Sequence, residues 1–160
     1  MKKLTLETKV YIYSHDELKI EWQELIVEAK KSVQNAYAPY SKFNVGAAVL
    51  LENGEVISAN NQENATYPSG LCAERVAVFY ANAKYPQVPI KAIAIAAFTN
   101  NSYLEKPITP CGACRQVLLE SENRLKSNIE ILMYGTSHTI VINSAKELLP
   151  LSFDESSLLM

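Results

Sequence analysis

At 160 residues, 48% of them hydrophobic and 20% charged, the chain has the composition of one soluble globular domain with room for a buried core. A net charge of −2 gives no basic field for a polyanion, so nucleic acid binding is disfavoured as the main task. Three cysteines are an odd and sparse set, which argues against a disulfide framework and for a reducing cytoplasm; the first nine residues hold no signal-like apolar run, and no stretch approaches the length that spans a membrane.

Residues 4–13 alternate loosely and are expected to form a strand. Ser14-His15-Asp16-Glu17 has the form of a capping box that opens a helical region. Trp22, Leu25, Ile26, Ala29, Val33 and Ala36 then recur at helical spacing, until Pro39 ends the run. Residues 43–51 suit a strand, Asn53-Gly54 is a strong hairpin signal, and 55–60 form the returning partner. A polar loop over 61–70 leads to Cys72. Residues 73–85 are rich in helix formers with a broad apolar face, and Pro86 and Pro89 close that segment. Residues 91–98 (Lys-Ala-Ile-Ala-Ile-Ala-Ala-Phe) read as a buried strand. A loop over 99–110 delivers Cys111 to another helix, about 111–123. Strands are expected over 129–134 and 139–142, and Ser144 caps a short helix through Leu149. With no repeat or linker, residues 1–160 form a single α/β domain, a mixed sheet with helices on both faces.

All three cysteines lie in two short segments, Cys72-Ala73-Glu74-Arg75 and Pro110-Cys111-Gly112-Ala113-Cys114-Arg115. Three thiolates hold one tetrahedral zinc and leave its fourth position open, which is the arrangement of a catalytic site. Cys111 and Cys114, three apart, share a face in a first helical turn. Cys72 and Glu74, two apart, would point about 200° away from each other inside a helix. At a helix start the conflict disappears, because a cap residue lies outside helical geometry. Each motif therefore predicts its own position, at the head of the helix that follows its loop. There the helix dipole also favours thiolate. Three thiolates on Zn²⁺ leave a net −1, and Arg75 and Arg115 are the candidates to offset it as donors to sulfur. Glu74 is placed to move the proton of an attacking zinc-bound hydroxide to a ring nitrogen and a leaving amine. As rivals, a Cys111–Cys114 redox dithiol leaves Cys72 unexplained, and a structural zinc lacks a fourth ligand. His15 and His138 have no finger-like spacing and read as surface or cap residues.

With these residues in place, the chain resembles the small homotetrameric cytidine deaminases from about Glu21 to Phe153. The segments that carry the resemblance are Tyr37-Ala-Pro-Tyr-Ser-Lys-Phe43-Asn-Val-Gly-Ala-Ala48, Asn61-Gln-Glu63-Asn64, Cys72-Ala-Glu-Arg-Val-Ala77, Pro110-Cys-Gly-Ala-Cys-Arg-Gln-Val117 and Glu147-Leu-Leu-Pro150. The resemblance implies a three-layer α/β/α fold around a mixed five-stranded sheet, with residues 1–20 as an N-terminal extension. It implies Cys72, Cys111 and Cys114 as ligands of one Zn²⁺ per subunit and Glu74 as proton shuttle. Asn61 and Glu63 match positions that bind the ribose, Phe43 the aromatic against the pyrimidine, and the backbone at Ala73 the group holding the base carbonyl. Phe153 matches a tail aromatic that enters a neighbouring subunit's pocket, and Tyr67 sits near that contact. The implied activity is hydrolysis of cytidine and deoxycytidine to uridine and deoxyuridine, with ammonia released, in pyrimidine salvage. Two alternatives are a deaminase of a blasticidin-type antibiotic and a non-catalytic zinc-stabilised binding module. The former is disfavoured by the Asn61/Glu63 pair, the latter by an open coordination position.

Overall fold

The computed structural model describes residues 1–158. Its strands are β1 (Tyr11–Tyr13), β2 (Asn44–Leu51), β3 (Val56–Asn60), β4 (Ile90–Thr99), β5 (Ser102–Tyr103), β6 (Glu130–Tyr134) and β7 (Thr139–Ile142). The helices are α1 (Ile20–Ser32), α2 (Ala73–Lys84) and α3 (Gly112–Leu125), with short 3₁₀ turns at His15–Glu17, Val33–Asn35, Tyr67–Ser69, Ala145–Leu148 and Glu155–Ser157. One sheet runs in the order β1-β7-β6-β4-β2-β3, with β5 added to β4. β4 and β6 are parallel, linked by the α3 crossover, and every other pair is antiparallel.

Three layers follow from the strands' alternation. On β4, Ile93, Ile95 and Ala97 face one core with Ala77, Val78 and Ala81 of α2 and Leu118 and Leu119 of α3. Ala92, Ala94 and Ala96 face the other way, toward Trp22, Leu25, Ile26 and Ala29 of α1. Period-two spacing thus sorts large residues to one face and small ones to the other. The small face lets α1 lie close to the sheet. At Gly46 on β2 the approach is closest: a Cβ there would come within 2.0 Å of the Ala29 carbonyl oxygen.

Several expectations change in detail. The sheet has seven strands instead of five, because the extension supplies β1 and a short hairpin supplies β5. Asn100 and Asn101 both adopt left-handed φ (50° and 61°), and the flanking Thr99 and Ser102 pair, as in a two-residue primed turn. The N-terminal strand is three residues long, not ten, since residues 1–10 stand exposed with no neighbouring strand to pair them. The Ser14–Glu17 capping box forms, but it opens only the 3₁₀ turn His15–Glu17, and α1 starts afresh at Ile20. The β2–β3 hairpin turns through residues 52–54, as the expected strand bounds leave it: Gly54 N–H donates to the Leu51 carbonyl and Gly54 takes φ 85°.

Candidate active site

Both cysteine motifs lie where their own spacing puts them. Cys72 is the N-cap of α2 and Cys111 the N-cap of α3, each with extended backbone (ψ 152° and 166°) before the first helical residue. Cys114 follows in the first turn of α3 and is fully buried. Neither cap uses a side-chain hydrogen bond, so both sulfurs remain available. Two helix N-termini, each equivalent to about half a positive charge, meet at the three thiols.

The sulfurs of Cys72 and Cys111 are 3.9 Å apart and those of Cys111 and Cys114 3.6 Å, with all three within 4.8 Å of one another. A tetrahedral zinc with sulfur at about 2.3 Å requires sulfurs about 3.8 Å apart. The donor set therefore fits zinc in both chemistry and spacing. His15 and His138 lie elsewhere: His15 Nε2 donates to the Thr136 carbonyl at 3.2 Å, and His138 Nδ1 pairs with Ser137 Oγ at 2.8 Å.

The electrostatics around the sulfurs are uneven. A hydrogen bond from the Cys114 thiol, helped by Arg75, brings Cys72 down to about 5 against partial burial. That same negative sulfur, together with burial, pushes Cys114 up. Cys72 thus ionises readily, and a bound cation would offset the burial and neighbouring charge that oppose ionisation of Cys114. Arg75 Nη2 donates to Cys72 Sγ at 3.9 Å and to the Gly70 carbonyl at 3.3 Å, and its Nε is buried with no partner among the described residues. Glu74, at the second position of α2, is 5% exposed. Burial raises its carboxyl above the ordinary range, and the Cys72 charge raises it further. A carboxyl whose affinity for the proton is raised suits proton transfer.

An open cleft of about 520 Å³ runs up to Cys72 and Arg75 and is walled by Tyr40, Asn61, Glu63 and Tyr67. That is the size of a small-molecule site. Asn61 is gripped by the start of β2: its Oδ1 accepts from Val45 N–H at 2.8 Å and its Nδ2 donates to the Phe43 carbonyl at 2.9 Å. Glu63 accepts from the Tyr40 and Ser41 N–H groups at 2.9 and 3.3 Å. The Ser41 hydroxyl, then those N–H groups, hold its carboxyl below the usual range. The loop turns there because Lys42 adopts φ 57°.

Other singled-out residues stand outside the cleft wall. Phe43 packs half-buried at the margin of the α2–α3 core, and Ala73, fully buried, is the first residue of α2. Phe153 is 60% exposed, and its carbonyl accepts from Gln116 Nε2 at 2.9 Å. The expectation that Arg115 donates to sulfur is corrected. Its Nε donates to the Pro110 carbonyl at 2.9 Å, its Nη1 to the Leu148 carbonyl at 3.1 Å, and its Nη2 to Thr109 Oγ1 at 3.3 Å. All three guanidinium nitrogens are engaged, two with the loop that carries Cys111 and one with the turn Ala145–Leu148. Glu122, unremarked in the sequence, is a buried carboxylate that accepts from Ile129 N–H, Ala145 N–H (both 2.7 Å) and Ser144 Oγ (2.9 Å).

Comparison with known proteins decides the family. A family profile described as the cytidine and deoxycytidylate deaminase zinc-binding region matches residues 20–127. The chain belongs to the cytidine and deoxycytidylate deaminase family. Among curated members of that family, the cytidine deaminase of Sporosarcina psychrophila is 39% identical over 136 residues, 85% of this chain and 93% of that one. That of Halalkalibacterium halodurans is 47% identical over 98 residues, 61% of this chain and 70% of that one. The crystal structure of the Burkholderia pseudomallei cytidine deaminase aligns at TM-score 0.70 and 39% identity, covering 85% of this chain and all of that one. The deaminase fold and a zinc-binding trio of cysteines thus coincide in one chain. No helix among the described residues is long and apolar enough to cross a membrane.

Proposed function

We infer that the chain is a zinc-dependent cytidine deaminase, which hydrolyses cytidine and deoxycytidine to uridine and deoxyuridine and releases ammonia. The observation that carries this is the placement of three sulfurs at zinc spacing on two helix N-termini, with buried Glu74 two residues from Cys72. Cys72, Cys111 and Cys114 hold the ion. When bound, zinc supplies Lewis acidity that lowers the pKa of the attacking water. Glu74 accepts a proton from the attacking water through its carboxylate. It passes that proton to the ring nitrogen beside the amine-bearing carbon, then takes the second proton from the new hydroxyl on that carbon and gives it to the departing amine, so that water and substrate balance product and ammonia. Burial of Glu74 keeps its proton from bulk solvent. Arg75 and the two helix dipoles offset the negative sulfurs.

Asn61 and Glu63 bind the ribose hydroxyls from the cleft wall. Phe43 packs against the pyrimidine and the Ala73 N–H, one of those a helix start leaves unpaired, holds the base carbonyl. An uncharged nucleoside suits a cleft whose wall carries the Glu63 carboxylate. Residues 1–160 act as one domain of a homotetramer in the cytoplasm, in pyrimidine salvage. Exposed Tyr67, Phe79, Tyr80 and Phe153 support assembly, being large apolar groups on the surface; Phe153 reaches a neighbouring copy's pocket.

The test is the ultraviolet absorbance of cytidine mixed with purified protein, with Glu74→Ala alongside and zinc content measured in both. Loss of the cytosine band in the parent only, at one zinc per chain, is expected. No change with zinc-replete parent protein overturns the cytidine reading. Light scattering at four times the 17.8 kDa chain mass tests the tetramer, and monomer mass refutes it.

A further inference from the structure

Arg115 and Glu122 are seven residues apart on α3, two turns along, and so project from one face. Together they grip the two ends of the turn Ala145–Leu148. Glu122 takes the Ala145 N–H and the Ser144 hydroxyl, and Arg115 takes the Leu148 carbonyl. The N-terminal extension is tied to the same turn from outside. Thr8 Oγ1 donates to the Glu147 carbonyl at 2.9 Å and Lys9 N–H to Glu147 Oε2 at 3.1 Å. Beyond Lys9, β1 is fixed to the edge of the sheet by pairing with β7. The other two arms of Arg115 hold Thr109 and Pro110, and Pro110 directly precedes Cys111. A continuous hydrogen-bonded path therefore runs from Thr8 and Lys9 through Glu147 and the Leu148 carbonyl to Arg115, and from Arg115 to the loop that sets Cys111.

We propose that the N-terminal extension is a strap that steadies the metal: by holding the Glu147–Leu148 turn in place, it fixes Arg115 and through it the position of the Cys111 sulfur. Arg115 and Glu147 are then positioning residues, acting on a ligand without touching it. Cys111 is the ligand most in need of such support. It is exposed and sits at the helix cap, whereas Cys114 is locked inside the core. Outer partners of metal ligands commonly change metal retention by ten- to a hundredfold when removed.

The proposal rests on the three cysteines holding zinc, so each variant is first checked for one zinc per chain as purified. Absence of zinc in the parent protein would sink that underlying reading, not the strap. Zinc release is then timed with a chromogenic chelator in excess, and thiolate-to-metal absorption is recorded for the cobalt-loaded protein. Arg115→Lys is expected to speed release about tenfold and to shift the cobalt band. Glu147→Ala and Thr8→Val are expected to speed it two- to fivefold, while Glu147→Gln, whose amide oxygen still accepts from Lys9 N–H, stays at the parent rate. Because the path is serial, Glu147→Ala should add little on top of Arg115→Lys. Lys126→Ala, which removes the exposed ion pair with Glu155, serves as a control with unchanged release. Parent-like release and cobalt spectra in Glu147→Ala and Thr8→Val would overturn the strap. So would full multiplication of the Glu147→Ala and Arg115→Lys effects.

Discussion

Replacing Asn61 with Ala tests how the cleft wall is built. The amide bridges two backbone groups at the entrance to β2, the Val45 N–H at 2.8 Å and the Phe43 carbonyl at 2.9 Å. Alanine leaves both without the partner they now have, in a place where Val45 is buried and Phe43 half-buried. A buried polar group stripped of its partner costs about 1–3 kcal/mol. Val45 N–H should pay nearer the full amount, and the Phe43 carbonyl, closer to solvent, less. The total is about 2–4 kcal/mol, which for a domain of this size lowers the melting temperature by about 5–15 °C. The assay is thermal unfolding of zinc-loaded protein followed by circular dichroism, with Glu63→Gln as a neighbouring control that retains an acceptor oxygen. A melting temperature within 1 °C of the parent would show that the amide does not anchor β2, and the account of the wall would fail. Nucleoside affinity should fall in the same variant, so a kinetic assay alone would mistake a structural loss for a binding one.

Glu74→Gln should keep one zinc per chain and lose about 10²–10⁴-fold in kcat; metal loss on elemental analysis would make Glu74 a ligand instead. Gly46→Val should destabilise the protein by about 1–3 kcal/mol or more, read from the urea midpoint, because the new Cβ meets the Ala29 carbonyl oxygen; an unchanged midpoint would mean α1 moves away freely. Glu63 gives a pH signature. Its folded pKa lies below the reference 4.5, so its contribution to stability is present above about pH 4.5 and is lost as pH falls through the lower folded value. The midpoint difference between parent and Glu63→Gln in metal-free protein should therefore shrink below pH 4.5, and a difference that grows on acidification would contradict the assigned bonds.

The parts of this molecule that sequence makes plain are those governed by local geometry. Cys72 and Glu74 could only cooperate at a helix start, and Cys72 does cap α2. Residues 91–98 read as a buried strand, and β4 is one, with Ile93 and Ile95 on one face and alanines on the other. Within the expected loop over 99–110 the structure places the short hairpin β4–β5, turned at Asn100-Asn101. What stayed hidden depends on contacts across long separations. Nothing in the order of residues pairs Glu122 with Ala145 N–H, or turns Arg115 from the sulfurs to the Leu148 carbonyl. Residues 4–10 alternate as a strand should, yet alternation without a neighbouring strand leaves them exposed. The final two residues of the tail lie outside the described residues.

The unlike faces of β4 also set how this fold tolerates redesign. Ala92, Ala94 and Ala96 are fully buried in the cluster they share with α1, so a larger aliphatic there must displace what packs on them. On the opposite face Ile93 and Ile95 already occupy the space beneath α2 and α3, and exchange of Ile for Leu there keeps the volume while changing its shape. A directed-evolution library seeking thermal robustness would thus spend its diversity well at Ile93 and Ile95, and would waste it on the alanines.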